Sequence, residues 1–246
     1  MKQIYVYSDL GVDPDSLIHT IKSLQKGLAH FEESYRIQRI GASSVINGAW
    51  KETAALFVMP GGRDIFYLRE LGALGADQIR SFVEAGGNYL GICAGAYFAA
   101  SAIEFERGGE FEVMGSRPLA FFPGVASGPA LGLGRYAIDS HRGAEAALVE
   151  WDSQKGHIYY NGGPTFSTSS SPNVEVLARY VNLESPALLS CQFGKGKALL
   201  SGVHFEYSTH NFSPTNPDLH RIYPLLQRDE EEREELFQKL LLRVLK

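Results

Sequence analysis

Cysteine is scarce in this chain: Cys93 and Cys191 are the only two among 246 residues. Two widely separated thiols do not make a disulfide framework and fit free cysteines in a reducing compartment. Basic charge is also in short supply, with Lys+Arg at 23 against Asp+Glu at 28 and a net charge of −5. Such a balance provides no positive field to gather nucleic acid or anionic lipid, so the expected partner is a small molecule or another protein. Long hydrophobic runs are missing as well. The opening Met1 to Asp9 is too short an apolar stretch for a signal peptide, and nothing downstream approaches a membrane span. The expectation is a cytoplasmic protein with neither a membrane nor a nucleic-acid partner. No internal repeat, low-complexity tract or linker interrupts the chain. What remains, 44% hydrophobic and 21% charged residues, suits one globular domain over residues 1–246.

Hydrophobic periodicity orders the first hundred residues. Ile4 to Tyr7 reads as a strand, and Asp13-Pro14-Asp15-Ser16 opens an amphipathic helix with Leu17, Ile18, Ile21, Leu24 and Leu28 at helical spacing. Tyr35 to Ile40 reads as a second strand. Ala54 to Met59 is a third, apolar on both faces as a central parallel strand should be. A helix is expected from about Gly75 to Ala85, stopped by Gly86-Gly87. This alternation predicts an α/β fold: a doubly wound, mostly parallel sheet with helices on both faces. Further on, Ala147 to Trp151 and His157 to Tyr160 are strand-like and predict antiparallel additions. Ala187 to Phe193 and Lys197 to Val203 flank Gly194-Lys195-Gly196 as a β-hairpin. The tail, Asp229 to Lys246, predicts a helix burying Leu236, Phe237, Leu240, Leu241 and Val244, with its acidic start solvated. The glycine- and proline-rich stretch from 108 to 134 has no regular pattern.

The chemical signal lies at residues 88 to 95. An apolar strand runs into Gly91-Ile92-Cys93-Ala94-Gly95, and the small residues Ala96 to Ala102 predict a helix directly after it. This is a nucleophile elbow with cysteine in the central position, where the glycines relieve crowding around a strained residue. At a helix start the backbone N–H groups and the dipole favour the thiolate. A cysteine nucleophile needs a base and a group to orient it. His204-Phe205-Glu206 leaves the second hairpin strand, and in an extended segment the His204 and Glu206 side chains share a face. Pro60-Gly61-Gly62 follows the third strand and brings unencumbered backbone N–H groups to the same sheet end, with the Ala94 N–H as the second oxyanion donor. Arg63 and Asp64 come next, placed either to touch substrate or to cap a helix. No metal is expected: His204, Glu206 and His210 lack a second ligand cluster.

The order Pro60-Gly61-Gly62, Gly91-Ile92-Cys93-Ala94-Gly95, His204-Phe205-Glu206 resembles the class I glutamine amidotransferase superfamily. Within it, Val58 to Asp64, Gly91 to Tyr97 and Tyr160-Asn161-Gly162-Gly163-Pro164 resemble the N-terminal domain of eukaryotic-type biotin-protein ligases, which also exists in stand-alone form. The resemblance implies a flavodoxin-like, amidotransferase-like fold over nearly the whole chain. It also implies Cys93 as nucleophile, His204 as base, Glu206 as its orienting acid, and Gly62 with Ala94 as oxyanion donors, with Gly61 and Arg63 beside them. No cofactor is implied. Two departures bear on activity: Phe205 stands where the superfamily carries proline, and no Gly-Arg-Gly-type biotinyl-adenylate loop occurs in the sequence. A separate synthetase or ligase subunit would supply what is missing.

Two functions from different classes follow. The leading one is an amidotransferase-like hydrolase using Cys93, His204 and Glu206 on an amide through a thioester. Its rival is a non-catalytic small-molecule-binding or regulatory module built on the same pocket. A cysteine α/β-hydrolase fits less well, because that order places the acid before the histidine. Mild alkylation of the folded protein should label Cys93 ahead of Cys191, read by peptide mapping; the reverse order would exchange the roles assigned to the two thiols.

Overall fold

The structure, a computed structural model, describes residues 2–167, 171–213 and 216–246. Its first half alternates as the periodicity predicts: β1 (Lys2–Tyr7), α1 (Pro14–Leu28), β2 (Tyr35–Ile40), α2 (Ala42–Asn47), β3 (Ala54–Met59), α3 (Asp64–Glu84), β4 (Asn88–Ile92) and α4 (Ala94–Phe98). The second half is richer in strands than its irregular sequence suggests. It contains β5 (Ala100–Phe105), β6 (Val113–Ser116), β7 (Phe122–Gly128), β8 (Glu145–Trp151), β9 (Gln154–Tyr160), β10 (Thr165–Phe166), β11 (Val174–Tyr180), β12 (Ser185–Phe193) and β13 (Gly196–Ser201). Two helices, α5 (Tyr223–Arg228) and α6 (Glu230–Leu245), close the chain.

A nine-stranded sheet runs in the order β2-β1-β3-β4-β13-β12-β11-β8-β9. From β2 to β13 neighbouring strands are parallel; from β13 to β9 they are antiparallel. The sheet is therefore evenly mixed rather than mostly parallel, because the β12–β13 hairpin inserts at the centre and carries the antiparallel half with it. A separate four-stranded sheet, β10-β7-β5-β6, uses the stretch from 108 to 134 that has no legible pattern.

Alternation along each parallel strand sends side chains to two cores. Tyr7, Phe57, Met59 and Tyr89 pack with α2, α3 and the second sheet, while Ile4, Val6, Leu56, Val58, Leu90 and Ile92 pack with α1 and α6. Four helices depart from expectation. The α3 helix starts at Asp64 and bends at Gly72, whose φ of 54° interrupts it, instead of starting near Gly75. The helix after Cys93 ends at Phe98, because Ala100 to Phe105 pairs with β6 and β7 and this pairing overrides alanine's helix propensity.

The α1 helix buries Ser16, His19, Thr20, Ser23, Leu24 and Gly27 and leaves Ile18 exposed at 49%. Close packing sets this face: a Cβ on Gly27 would stand 2.5 Å from Leu241 Cδ1 on α6, and the Ser23 hydroxyl donates to the Glu206 carbonyl at 2.6 Å. On α6 the five predicted apolar residues are buried. Its acidic start is only partly solvated. Glu230 turns inward, accepting from Ser208 Oγ at 2.6 Å and Thr209 N at 3.1 Å, and pairs with Arg233 at 2.8 Å. Arg233 in turn donates to the Phe205 carbonyl at 2.6 Å, so α6 clamps the segment from 204 to 209.

Among the described residues no helix is long and apolar enough to cross a membrane. Leu241 is fully buried between α6 and α1. Leu241→Ala should cost about 2–5 kcal/mol, read as a lower urea midpoint at unchanged m; a shift worth under about 0.5 kcal/mol would mean α6 is not packed there.

Candidate functional site

Cys93 is the hinge between β4 and α4. Its φ of 51° and ψ of −104° lie outside the regions a cysteine ordinarily adopts, a strain of order 1–3 kcal/mol. The elbow glycines are explained by contact distance: a Cβ on Gly95 would stand 2.1 Å from the Met59 carbonyl oxygen, and one on Gly91 2.5 Å from that of Gly95. The α4 helix has only five residues, so the dipole inferred from the sequence contributes little. Cys191 lies on β12 with no exposed surface, and burial pushes its thiol up to about 12.

The structure brings His204 and Glu206 to Cys93, by a different route from the one the sequence suggests. Tyr207 N donates to the His204 carbonyl at 3.1 Å, so the segment is a turn and not an extended strand. His204 Nδ1 and Glu206 Oε1 are nevertheless 2.8 Å apart, and both side chains are buried. Cys93 and His204 line the same cavity. Burial alone would lower the His204 pKa; the Glu206 carboxylate and the Cys93 side chain outweigh it and hold the imidazole above its ordinary value. Cys93 Sγ in turn lies 3.7 Å from the Asn161 carbonyl, as a thiol donating to it does.

Ser16 is a member of this cluster that the sequence did not single out. Its hydroxyl accepts from Gly61 N at 2.9 Å and donates to Glu206 Oε1 at 3.3 Å. The Gly61 N–H is thereby occupied and is not an oxyanion donor, which corrects its expected role. Gly62 has φ 146°, and a Cβ there would meet the Gly11 carbonyl oxygen at 2.0 Å. The flanking bonds, Asp13 N to Gly61 O and Arg63 N to Gly11 O, leave the Gly62 N–H pointing away from that pairing. Arg63 caps α3 without a side-chain bond, and its guanidinium lies 4.7 Å from the Phe66 ring centre. Asp64 is not free for a ligand, since Arg117 Nε holds it in a buried pair at 2.5 Å.

Rings fix the imidazole from the side. His19, Tyr207 and Tyr159 stack in a column with centre distances of 4.0 and 4.4 Å, and His204 stands edge-on to both tyrosines. These residues come from α1, β9 and the segment after β13, so no local pattern announces their meeting. Tyr159 and Tyr207 of this column line a cavity of about 470 Å³, together with Cys93, His204, Gly61, Gly62 and Arg63. A second cavity of about 280 Å³ shares Cys93 and includes Ala94.

A raised His204 pKa has a sign that can be checked. The stabilisation from the His204–Glu206 contact is fully present below the ordinary histidine value of about 6.5 and is lost as pH rises through the raised folded value. The imidazole should therefore carry both protons at about pH 7.5 by nitrogen-detected NMR. Glu206→Gln should bring the pKa down, since burial then dominates, and its destabilisation should shrink on the alkaline side. A neutral imidazole near pH 7.5 in the unaltered protein would contradict the assignment.

The family described as "Biotin-protein ligase, N terminal" matches residues 2–245. A biotin-protein ligase of Schizosaccharomyces pombe is 34% identical over 248 residues, covering 97% of this chain; the chain spans 37% of that ligase's length. An uncharacterized protein of Chlamydia muridarum is 38% identical over 213 residues, covering 84% of this chain and 81% of its own. Among solved structures, a cytoplasmic protein from Salmonella typhimurium LT2 shares the fold at a TM-score of 0.54 and 14% identity, covering the whole of both chains. The chain belongs to the biotin-protein ligase N-terminal domain family.

Proposed function

We propose that this chain is a small-molecule-binding, regulatory module of the biotin-protein ligase N-terminal type, with the cavity at Cys93 as its binding site. The observation that carries this reading is a cavity of about 470 Å³ lined by the buried Cys93 thiol and His204 imidazole together with Gly62. That volume lies within the range of small-ligand sites. The ligase relative is much longer than the matched region, so action on a separate ligase or synthetase subunit is part of the proposal. The strand order β2-β1-β3-β4-β13 supports a flavodoxin-like, class I glutamine amidotransferase-like assignment for the parallel half.

The strained elbow supports a second reading, amide hydrolysis. In it the thiol proton leaves to solvent and the Cys93 thiolate attacks the carbonyl carbon. Gly62 and Ala94 N–H groups stabilise the oxyanion, and His204 protonates the departing nitrogen as the C–N bond breaks. Water then cleaves the thioester to the acid and restores the thiol.

Two measurements separate the readings. A ligand present at 100 times its Kd should stabilise the protein by about 2.7 kcal/mol, raise Tm and shield Cys93 from alkylation. Glutamine given to the isolated chain should release ammonia slowly or not at all. Robust release, abolished in Cys93→Ala, would instead establish the hydrolase.

A further inference from the structure

The two cavities at Cys93 differ in chemistry, and the residues they share lie on the path between them. Gly62, Arg63, Cys93, Tyr136 and Asn161 line both. The smaller one is walled by Ile65, Phe66, Ile103, Phe105, Phe111 and Val113, and its volume of about 280 Å³ suits a ring or a short alkyl chain. Three acids line it as well: Asp64 is paired with Arg117, Glu112 accepts from Gly108 N at 2.6 Å, and Glu110 is exposed to solvent.

The larger cavity carries the carboxylates of Asp13, Asp15 and Asp139 against the single guanidinium of Arg63. Its two histidines do not reverse that sign. His204 is balanced by Glu206, and His141 is bonded to Tyr159 at 2.6 Å and to Asp15 at 3.3 Å. A cationic or strongly donating group is therefore favoured there over a second carboxylate. Of the two cavities, Ala94 lines only the apolar one and His204 only the acidic one. A carbonyl held by the Gly62 and Ala94 N–H groups thus has its acyl arm on the apolar side and its nitrogen on the side of His204.

We propose that the ligand of this site is an amide joining an apolar acyl group to a cationic amine, with its carbonyl at Cys93. This rests on the binding-site reading above and specifies the occupant. Glutamine is a poor match, since it has no apolar arm for the smaller cavity and brings its own carboxylate to an acidic one.

The test uses four probes on the intact chain: N-hexanoylputrescine, N-acetylputrescine without the apolar arm, hexanamide without the amine, and glutamine. Binding is read by protection of Cys93 from iodoacetamide and by the Tm shift. N-hexanoylputrescine should bind at least about tenfold more tightly than each of the others. Val113→Trp, which fills the apolar cavity, should remove its advantage over N-acetylputrescine, and Asp139→Asn should reduce its advantage over hexanamide. Equal protection by N-acetylputrescine or hexanamide would overturn the proposal. Protection by glutamine alone would overturn it while leaving the small-molecule site standing, and protection by none of the four would count against both. If Val113→Trp does not fold, as judged by its unliganded Tm, the ranking of the four probes on the unaltered protein decides the matter.

Discussion

The hydrogen bond between His204 Nδ1 and Glu206 Oε1 is the contact around which the site is organised. A carboxylate with no exposed surface is costly unless it is bonded and balanced, and Glu206 offsets part of that cost at Oε1 through the imidazole and the Ser16 hydroxyl, while its Oε2 is buried without a partner. From that pair the constraint spreads outward. Ser16 fixes the Gly61 N–H and hence the start of the loop after β3, Ser23 holds the Glu206 carbonyl, and Arg233 holds that of Phe205. Two helices distant in sequence, α1 and α6, therefore hold the segment that carries the imidazole.

The same network explains why surfaces of ordinary appearance are used in unexpected ways. The α1 helix turns hydroxyls and a glycine inward because it must bond the segment from 204 to 206 and lie close to α6. The acidic start of α6 holds Ser208 and Thr209, so its charge has a partner inside the protein as well as solvent outside. Phe205, which takes the place of a proline in the amidotransferase pattern, is fully buried and lies 5.7 Å from the Phe237 ring on α6. An apolar side chain there ties the segment bearing His204 to the tail helix.

Cys93 stands at the junction of this polar network and two cavities of unlike character. An enclosed, partly apolar site with a few directed polar groups has the general form of a small-ligand pocket. The strain at Cys93 is stored by the close approach of Gly95 to Met59, independently of whether the thiol reacts. Elbow geometry and ligand binding are thus compatible.

Much of this was legible in the sequence. The strands through β4, the β12–β13 hairpin, the buried face of α6 and the elbow at Cys93 are written in local periodicity and glycine placement, which depend on near neighbours alone. The pairing of His204 with Glu206 was also visible, though the backbone between them is a turn. Other features were not readable because they arise only when distant segments meet. The helical look of Ala96 to Ala102 yielded to strand pairing, and the Gly- and Pro-rich stretch became a second sheet once β5 could template it. Ser16, Tyr159 and Tyr207 carry no motif, and Gly61 lost its expected role to a hydroxyl 45 residues away in sequence. Local sequence determined the elements and the elbow at Cys93. The tertiary structure alone decided which polar atoms were left free and how the cavities met at Cys93, because hydrogen-bond satisfaction and enclosed volume are properties of the packed chain.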